Sequence, residues 1–123
     1  MKVLVTGGAG FVGSNLVDRL VNDGHDVYVW DNLVTGKKEN VNSNAKFFYI
    51  SVDSISPEYV YKTLCFDVIF HLAALARIQP SFKMPVENLN CNVVSTMRAL
   101  ELARLCKARF VYSGSSSFYH DVY

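Results

Sequence analysis

Residues 6–14 read Thr-Gly-Gly-Ala-Gly-Phe-Val-Gly-Ser, and they stand between an apolar run at residues 2–6 and an amphipathic stretch from about residue 12 to residue 22. The apolar run predicts a β-strand, and the amphipathic stretch predicts an α-helix. Three of the glycines recur at intervals of three residues. A strand, a glycine turn and a helix in this order are typical of a turn that binds phosphate groups.

Each of the three glycines has its own predicted role in that turn. Gly7 permits a tight turn, Gly10 lets the backbone approach a pyrophosphate, and Gly13 allows the helix to pack closely on the strand. The unpaired N–H groups at the start of the helix would then face the phosphates. A flexible turn is the alternative interpretation, but here a second strand and an acidic residue complete the unit.

That acidic residue, Asp31, follows the second predicted strand at residues 26–30, about 20 residues after the glycine turn. Its carboxylate can accept hydrogen bonds from both hydroxyls of an adenosine ribose, and its charge would repel a 2′-phosphate. Because neither Asp31 nor its neighbour Asn32 is an arginine that could pair with that phosphate, we expect NAD rather than NADP. Both residues are predicted to bind the cofactor. A solvated acid at a strand end is the alternative for Asp31.

The rest of the chain alternates short apolar runs with helical patterns. Parallel strands need crossover connections, and those connections are right-handed, so this alternation predicts an α/β fold with a Rossmann-like, doubly wound parallel sheet. The further predicted strands are residues 46–50, 66–70 and 109–112, and the further helices are residues 57–64 and 86–107; residues 32–45 and 71–85 are predicted loops. The long helix carries an apolar stripe of Val86, Leu89, Val93, Met97 and Leu100.

Composition excludes several classes of function. The chain has 123 residues, half of them hydrophobic, which predicts one domain with a real core. Its 12 basic and 11 acidic residues leave a net charge of +1, so we expect no nucleic-acid or membrane partner. With no long apolar run, we expect a cytoplasmic protein. Cys65, Cys91 and Cys106 are widely spaced, which favours reduced, buried thiols and no metal site.

Further motifs follow the glycine turn in a recognisable order. They are Asp-Asn-Leu-Val-Thr-Gly-Lys-Lys-Glu-Asn-Val at residues 31–41, Asp53, His-Leu-Ala-Ala at residues 71–74, Asn92-Val93, and Val-Tyr-Ser-Gly-Ser-Ser-Ser-Phe-Tyr at residues 111–119. Over the whole chain, this series resembles the NAD-dependent epimerase/dehydratase family of extended short-chain dehydrogenases. The resemblance implies that the predicted strands lie in the order 3-2-1-4-5. The UDP-glucose 4-epimerases are the most similar members, although dehydratases, decarboxylases and reductases share these motifs.

The resemblance implies which residues contact the cofactor, NAD. Phe11 and Val12 would lie at the pyrophosphate, and Asp53 and Ser54 would lie at the adenine, with a plain turn acid as the alternative for Asp53. The small side chains after the fourth strand would let the cofactor lie against backbone, with tight core packing as the alternative. An amide on the helix surface is the alternative for Asn92. The residues implied for the middle and the nicotinamide side of the cofactor are Leu72, Ala73, Ala74, Ala76, Asn92, Ser115 and Ser116.

The resemblance also implies a catalytic residue, Ser117, whose hydroxyl would hydrogen-bond the sugar oxygen at the carbon being oxidised. An ordinary polar loop is the alternative for this serine-rich stretch. The family's base is a tyrosine with a lysine four residues later, and the 123 residues contain no such pair. Tyr119 is followed at that spacing by Tyr123, so it is not a substitute. His120 also replaces the usual glycine after Tyr119, which puts the local conformation in doubt.

We therefore expect the NAD-binding portion of a nucleotide-sugar epimerase that oxidises its sugar transiently, with residues 1–123 forming an incomplete dinucleotide-binding domain that is not catalytically competent alone. A portion of a nucleotide-sugar 4,6-dehydratase and a non-catalytic NAD-binding or assembly module are the alternatives. We expect a homo-oligomer, because the fifth strand would be an open edge and the resemblance implies a dimer interface on the long helix.

Overall fold

The computed structural model describes residues 1–115, and they form one five-stranded parallel sheet in the order β3-β2-β1-β4-β5. This is the predicted fold, which is confirmed. All four pairings between neighbouring strands are parallel. The strands are β1 (Lys2–Thr6), β2 (Asp26–Asp31), β3 (Lys46–Tyr49), β4 (Val68–His71) and β5 (Arg109–Tyr112).

The helices connect these strands and cover both faces of the sheet. Short 3₁₀ turns occupy Lys38–Asn40 and Val52–Ser54, and a π-helical turn, Asn90–Val94, joins the last two helices into one continuous helical run. The α-helices are α1 (Phe11–Asn22), α2 (Pro57–Thr63), α3 (Ile78–Lys83), α4 (Pro85–Leu89) and α5 (Ser95–Cys106).

Two apolar clusters form the core, one on each face of the sheet. Successive residues of a strand point to opposite faces, so Leu4 lies in the cluster under α5, whereas Val3 and Val5 lie in the cluster under α1. All three side chains are buried. A parallel sheet needs this two-sided cover, because the helical crossovers leave neither face to solvent.

The predicted loop at residues 71–85 is wrong in part, because it contains α3 and the start of the next helix. Pro80 and Pro85 favoured a loop at that stretch. In the structure, Pro80 is the third residue of α3 and Pro85 is the first residue of α4. Proline is tolerated in the first turn of a helix, since those N–H groups have no partner within the helix.

The apolar stripe on the long helix does not face the sheet. All five of its residues are exposed, from 46% for Leu100 to 64% for Met97. The face packed on the sheet instead carries Ser95, Ala99, Leu102 and Ala103. An apolar stripe usually faces the core, but here three of the four side chains packed on the sheet are small and Leu102 is the large one, while the stripe lies on the exposed side.

The three cysteines are free, and each is half-buried rather than fully buried as predicted. Burial raises the pKa of the Cys106 thiol to about 11, so this thiol is protonated at neutral pH. No helix within residues 1–115 is long and apolar enough to cross a membrane.

Candidate functional site

The glycine turn follows β1 and packs against the backbone that follows β4. Gly7 has a φ of 73°, in the left-handed region that favours glycine. Its N–H donates to the carbonyl oxygen of Trp30 at 2.8 Å. A Cβ on Gly7 would lie 2.8 Å from the backbone nitrogen of Ala73. Both the conformation and the close contact therefore require glycine at this position.

Helix α1 begins directly on this turn. A Cβ on Gly13 would lie 2.2 Å from the carbonyl oxygen of Gly7, so only glycine allows the helix to pack this closely. Gly10 precedes the first helical residue, and its own N–H donates to the carbonyl oxygen of Gly7 at 3.1 Å. The first N–H groups of a helix have no partner within it, and they carry a partial positive charge. The turn therefore presents an anion-binding helix end.

Asp31 ends β2 with a buried carboxylate, 8% exposed, that already accepts two backbone hydrogen bonds. Its Oδ2 accepts from the N–H of Ala9 at 3.0 Å, and its Oδ1 accepts from the N–H of Leu33 at 2.8 Å. Leu33 is held at a φ of 58°, a strained conformation of the kind that occurs at binding sites. Two carboxylate oxygens offer about four acceptor positions. Asp31 can therefore still accept hydrogen bonds from a ligand.

A second polar group continues from the β2 loop to the turn after β3. Asn32 donates to the hydroxyl of Ser51 at 3.4 Å, and that hydroxyl donates in turn to Asp53. Arg98 on α5 donates to the carbonyl oxygen of Ile55, which ties the same turn to the helix. These contacts connect the wall beside Asp31 to the turn after β3 and to helix α5.

Residues 72–75, which follow β4, form a backbone segment held at both of its ends. The hydroxyl oxygen of Thr6 accepts from the N–H groups of Leu72 and Ala73 at 3.2 and 3.3 Å. At the other end, Asn92 accepts from the N–H of Leu75 at 2.8 Å and donates to its carbonyl oxygen at 3.1 Å. We call residues 72–75 the dividing segment, because a cavity lies on each side of it.

His71 lies under the dividing segment and is only 2% exposed. Its Nδ1 is 2.8 Å from the hydroxyl of Thr6, and its Nε2 is 3.0 Å from the hydroxyl of Thr96. The rings of Phe110 and Tyr112 stack beside the imidazole. Burial lowers the pKa of His71 to about 4, so the ring is neutral at physiological pH.

The first cavity has a volume of about 540 Å³ and lies at the carboxyl ends of β1, β2 and β4. The chain order reverses between β1 and β4, and this is the crevice in which open α/β sheets bind ligands. The cavity brings together eight of the predicted cofactor-binding residues: Gly7, Gly10, Asp31, Asn32, Asp53, Leu72, Ala73 and Ala74.

The second cavity, of about 430 Å³, lies on the other side of the dividing segment, beside β5. His71, Thr96 and Tyr112 contribute to its wall. The predicted site residues along it are Leu72, Ala73, Ala74, Ala76, Asn92 and Ser115.

Several predicted residues lie outside both cavity walls. The side chains of Phe11 and Val12 are exposed at the start of α1, where their backbone N–H groups belong to the first turn of the helix. Ser54 is exposed and donates to the carbonyl oxygen of Ser51 at 2.7 Å. Gly13 lies behind the turn. Ser116 and the predicted catalytic residue Ser117 fall outside the described residues, as do Tyr119, His120 and Tyr123.

Other residues of the first cavity were not predicted from the sequence. Ala9 donates its N–H to Asp31. It lies within the glycine motif, but the motif predicted a role only for the glycines. Burial first, and the nearby charges of Asp53 and Asp31 second, raise the pKa of the Cys91 thiol, which therefore stays protonated. The additional wall residues include Trp30, Thr35, Ile50, Ser51, Val52, Met84, Cys91 and Ser95.

A doubly wound parallel sheet with a glycine turn, a helix end and a cavity at its switch point defines a Rossmann-like nucleotide-binding domain. The sequence profile described as the NAD dependent epimerase/dehydratase family matches residues 3–122. The chain belongs to this family.

Named relatives and solved structures agree with that assignment. The chain is 39% identical to UDP-glucuronic acid decarboxylase 1 of Danio rerio, with 98% of the chain and 28% of the relative aligned. It is 42% identical to UDP-glucose 4-epimerase of Mycolicibacterium smegmatis, over 94% of the chain and 39% of the relative. The crystal structure of the Thermus thermophilus UDP-glucose 4-epimerase in complex with NAD is 37% identical, with a TM-score of 0.76 over 88% of the chain and 35% of that structure. The chain thus spans well under half the length of these proteins.

Proposed function

We propose that this chain is the NAD-binding portion of a nucleotide-sugar epimerase, in which bound NAD accepts a hydride from the sugar and returns it. The observation that carries the proposal is the buried Asp31 carboxylate, which lines the first cavity together with the glycine turn. A carboxylate at this position can accept a hydrogen bond from each of the two hydroxyls of an adenosine ribose. The solved epimerase complex with NAD supports the same cofactor.

The residues of the first cavity fit a dinucleotide. Gly7 and Gly13 let the turn and α1 pack closely on their protein neighbours, and Gly10 has no side chain to stand between the turn and the phosphates. Asp31 would accept hydrogen bonds from the ribose hydroxyls and exclude a 2′-phosphate. Asp53 would lie at the adenine, held by its contact with Ser51. The nicotinamide half would extend along the second cavity, where Ser115 contributes to the wall.

The nucleotide sugar would bind beyond the nicotinamide. In this proposal Ser117 donates or accepts a hydrogen bond at the sugar oxygen whose carbon is oxidised, and it holds that oxygen while hydride leaves the carbon. A tyrosine and lysine pair of the family's kind, absent from the 123 residues, would be needed to remove the proton. The chain alone therefore binds cofactor without turning over the sugar.

A second candidate is the corresponding portion of a UDP-glucuronic acid decarboxylase. The specific observation is that such decarboxylases are as similar to this chain as an epimerase is, at 39–44% identity against 42%. Both kinds of relative carry a UDP-sugar in their names, so the cofactor proposal is the same for the two candidates. A portion of a 4,6-dehydratase, or a non-catalytic NAD-binding or assembly module, would use the first cavity in the same way.

Calorimetric titration of the 123-residue chain with NAD and with NADP tests the proposal. We expect NAD to bind more tightly than NADP, and Asp31→Ala to weaken NAD binding by at least about tenfold, because hydrogen bonds to a charged group are lost. Asp26→Ala is the matched control. Asp26 begins the same strand and pairs with Lys46 on the surface at 2.7 Å, so its removal should leave NAD binding unchanged.

Equal affinities for the two cofactors would contradict the role of Asp31. NAD binding that is unaltered in Asp31→Ala would contradict it as well. No detectable binding of NAD by a folded chain would overturn the proposed function itself.

A further inference from the structure

The contacts around His71 determine which of its two nitrogens carries the proton. Thr96 has one hydroxyl hydrogen, and it donates that hydrogen to the carbonyl oxygen of Asn92 at 2.7 Å. The same hydroxyl oxygen lies 3.0 Å from Nε2 of His71. Because the Thr96 hydrogen is already used, Nε2 must be the donor in this contact. The neutral ring therefore carries its proton on Nε2.

The direction of the hydrogen bond at Nδ1 follows from the proton on Nε2. With Nε2 protonated, Nδ1 is an acceptor, so the Thr6 hydroxyl donates to it at 2.8 Å. The Thr6 oxygen then uses its lone pairs to accept from Leu72 and Ala73. In the opposite tautomer, every partner of the Thr6 hydroxyl within residues 1–115 would be a donor, and its hydrogen would have no acceptor. The donor and the acceptor of every hydrogen bond in this series are thus determined.

The resulting chain of hydrogen bonds reaches both ends of the dividing segment. It starts at the N–H groups of Leu72 and Ala73, passes through Thr6, His71 and Thr96, and ends at the backbone of Asn92. The side chain of Asn92 then holds Leu75 through both of its backbone groups. Hydrogen bonds in such series strengthen one another in a buried, low-dielectric environment.

We infer that His71, protonated on Nε2, is a positioning residue for the dinucleotide, because it fixes the dividing segment that forms a wall of both cavities. This inference rests on the proposed NAD binding. His71 acts through Thr6 on the backbone that Gly7 touches, and through Thr96 on the turn of helix that carries Asn92. A shift of this segment would change the width of both cavities, so binding of the whole dinucleotide depends on the ring.

The first test is spectroscopic and needs no cofactor. Nitrogen-15 NMR of the imidazole in the 123-residue chain at neutral pH distinguishes the two neutral tautomers and the charged ring. We expect the signature of a neutral ring protonated on Nε2. A ring protonated on Nδ1, or on both nitrogens, would overturn the inference whatever the chain binds.

The second test measures the affinity for NAD in variants that remove one hydroxyl and keep the side-chain shape. Thr96→Val and Thr6→Val should each raise the Kd for NAD about fivefold, the effect of one hydrogen bond. Thr63→Val is the matched control. Thr63 makes the same kind of helix contact, to the carbonyl oxygen of Val60 at 3.1 Å, but it is exposed at the end of α2. Its removal should leave the Kd unchanged.

Variants of the ring itself complete the test. His71→Asn can still accept from Thr6, whereas His71→Leu keeps the bulk of the ring but has no polar atom. We expect His71→Asn to retain more affinity for NAD than His71→Leu. If His71→Leu does not fold, the two valine variants still decide the matter.

An unchanged Kd in Thr96→Val and Thr6→Val, in a chain that binds NAD, would overturn the inference and leave the proposed function intact. Failure of the unaltered folded chain to bind NAD would overturn the proposed function, and the positioning role with it.

Discussion

The first and second cavities share the dividing segment, but their outer walls differ in how deeply they are buried. The outer wall of the first cavity consists of Asp31, Asn32, Ser51 and Asp53, and each of these side chains already has a hydrogen-bond partner. The outer wall of the second cavity lies at β5 and residues 113–115, which are exposed. A more buried wall removes more of a ligand's surface from water. We infer that most of the affinity for a dinucleotide comes from the first cavity.

The surface beside the first cavity is also more covered than the surface beside the second cavity. Turns and helix α5 cover the first cavity, and Arg98 joins them through Ile55. Beside the second cavity, Val111 and Tyr112 are exposed on β5, the last strand of the sheet within residues 1–115. The more buried half of the site is therefore the half expected to hold the adenosine.

The largest effect should come from Gly7→Ala, because Gly7 touches the segment that the two cavities share. An alanine there adds about 1–2 kcal/mol of left-handed backbone strain and about 1–3 kcal/mol of overpacking against residues 72 and 73. We expect a loss of about 3 kcal/mol in the free energy of unfolding, measured by urea denaturation, together with loss of NAD binding.

Gly24→Ala is the matched control for that variant. Gly24 has a similar φ, 83° against 73°, but a Cβ there would meet nothing within 4 Å. It should cost only the strain, about 1 kcal/mol, and leave NAD binding intact. Equal losses in the two variants would show that the contact between the turn and the dividing segment contributes nothing to stability.

A smaller effect should appear as the pH falls from 7 to 5. Burial lowers the pKa of His71 from its ordinary value of 6.5 to about 4 in the folded chain. Below pH 6.5 the unfolded chain therefore binds a proton that the folded chain does not bind, and the free energy of unfolding decreases. Between pH 7 and pH 5 this loss amounts to about 2 kcal/mol, and it levels off below pH 4.

Urea denaturation at several pH values, in the unaltered chain and in His71→Asn, isolates this contribution. The variant lacks the titrating ring, so its stability should fall less steeply between pH 7 and pH 5. The same slope in both proteins would mean that His71 is not the group responsible.

The smallest effect concerns self-association on the side of the second cavity. The exposed stripe on the long helix and the edge of β5 leave apolar surface uncovered within residues 1–115, and we expect the chain to form dimers or larger assemblies. Met97→Glu places a charge in the middle of the stripe and should weaken association by about 1 kcal/mol or more. Light scattering over a range of concentrations measures the change.

Tyr59→Glu is the control for this variant, since Tyr59 is similarly exposed but lies on α2 and does not belong to the stripe. It should leave the association unchanged. A monodisperse species of 13.8 kDa at high micromolar concentration would contradict the expected homo-oligomer.

The parts of the site that follow from local spacing could be predicted from the sequence. Gly7 and Asp31 were recognised because a strand, a turn, a helix and a second strand follow one another within one unit. Cys91 and Ser95 were not recognised, because they reach the first cavity from a helix that is distant in the chain. The π-helical turn at Asn90–Val94 also changes which side chains face the sheet, and hydrophobic spacing does not reveal such a turn.

The amino-acid sequence by itself determined the approximate positions of the strands, their parallel direction and the glycine turn, because these depend on short-range patterns and on the need for helical crossover connections. Tertiary structure alone decided two further features. The face of α5 that packs on the sheet carries Ser95 and Ala99, since contact between helix and sheet depends on the size of the side chains that meet. His71 is neutral and protonated on Nε2, since its burial and its two hydroxyl partners come from strands and a helix that only folding brings together.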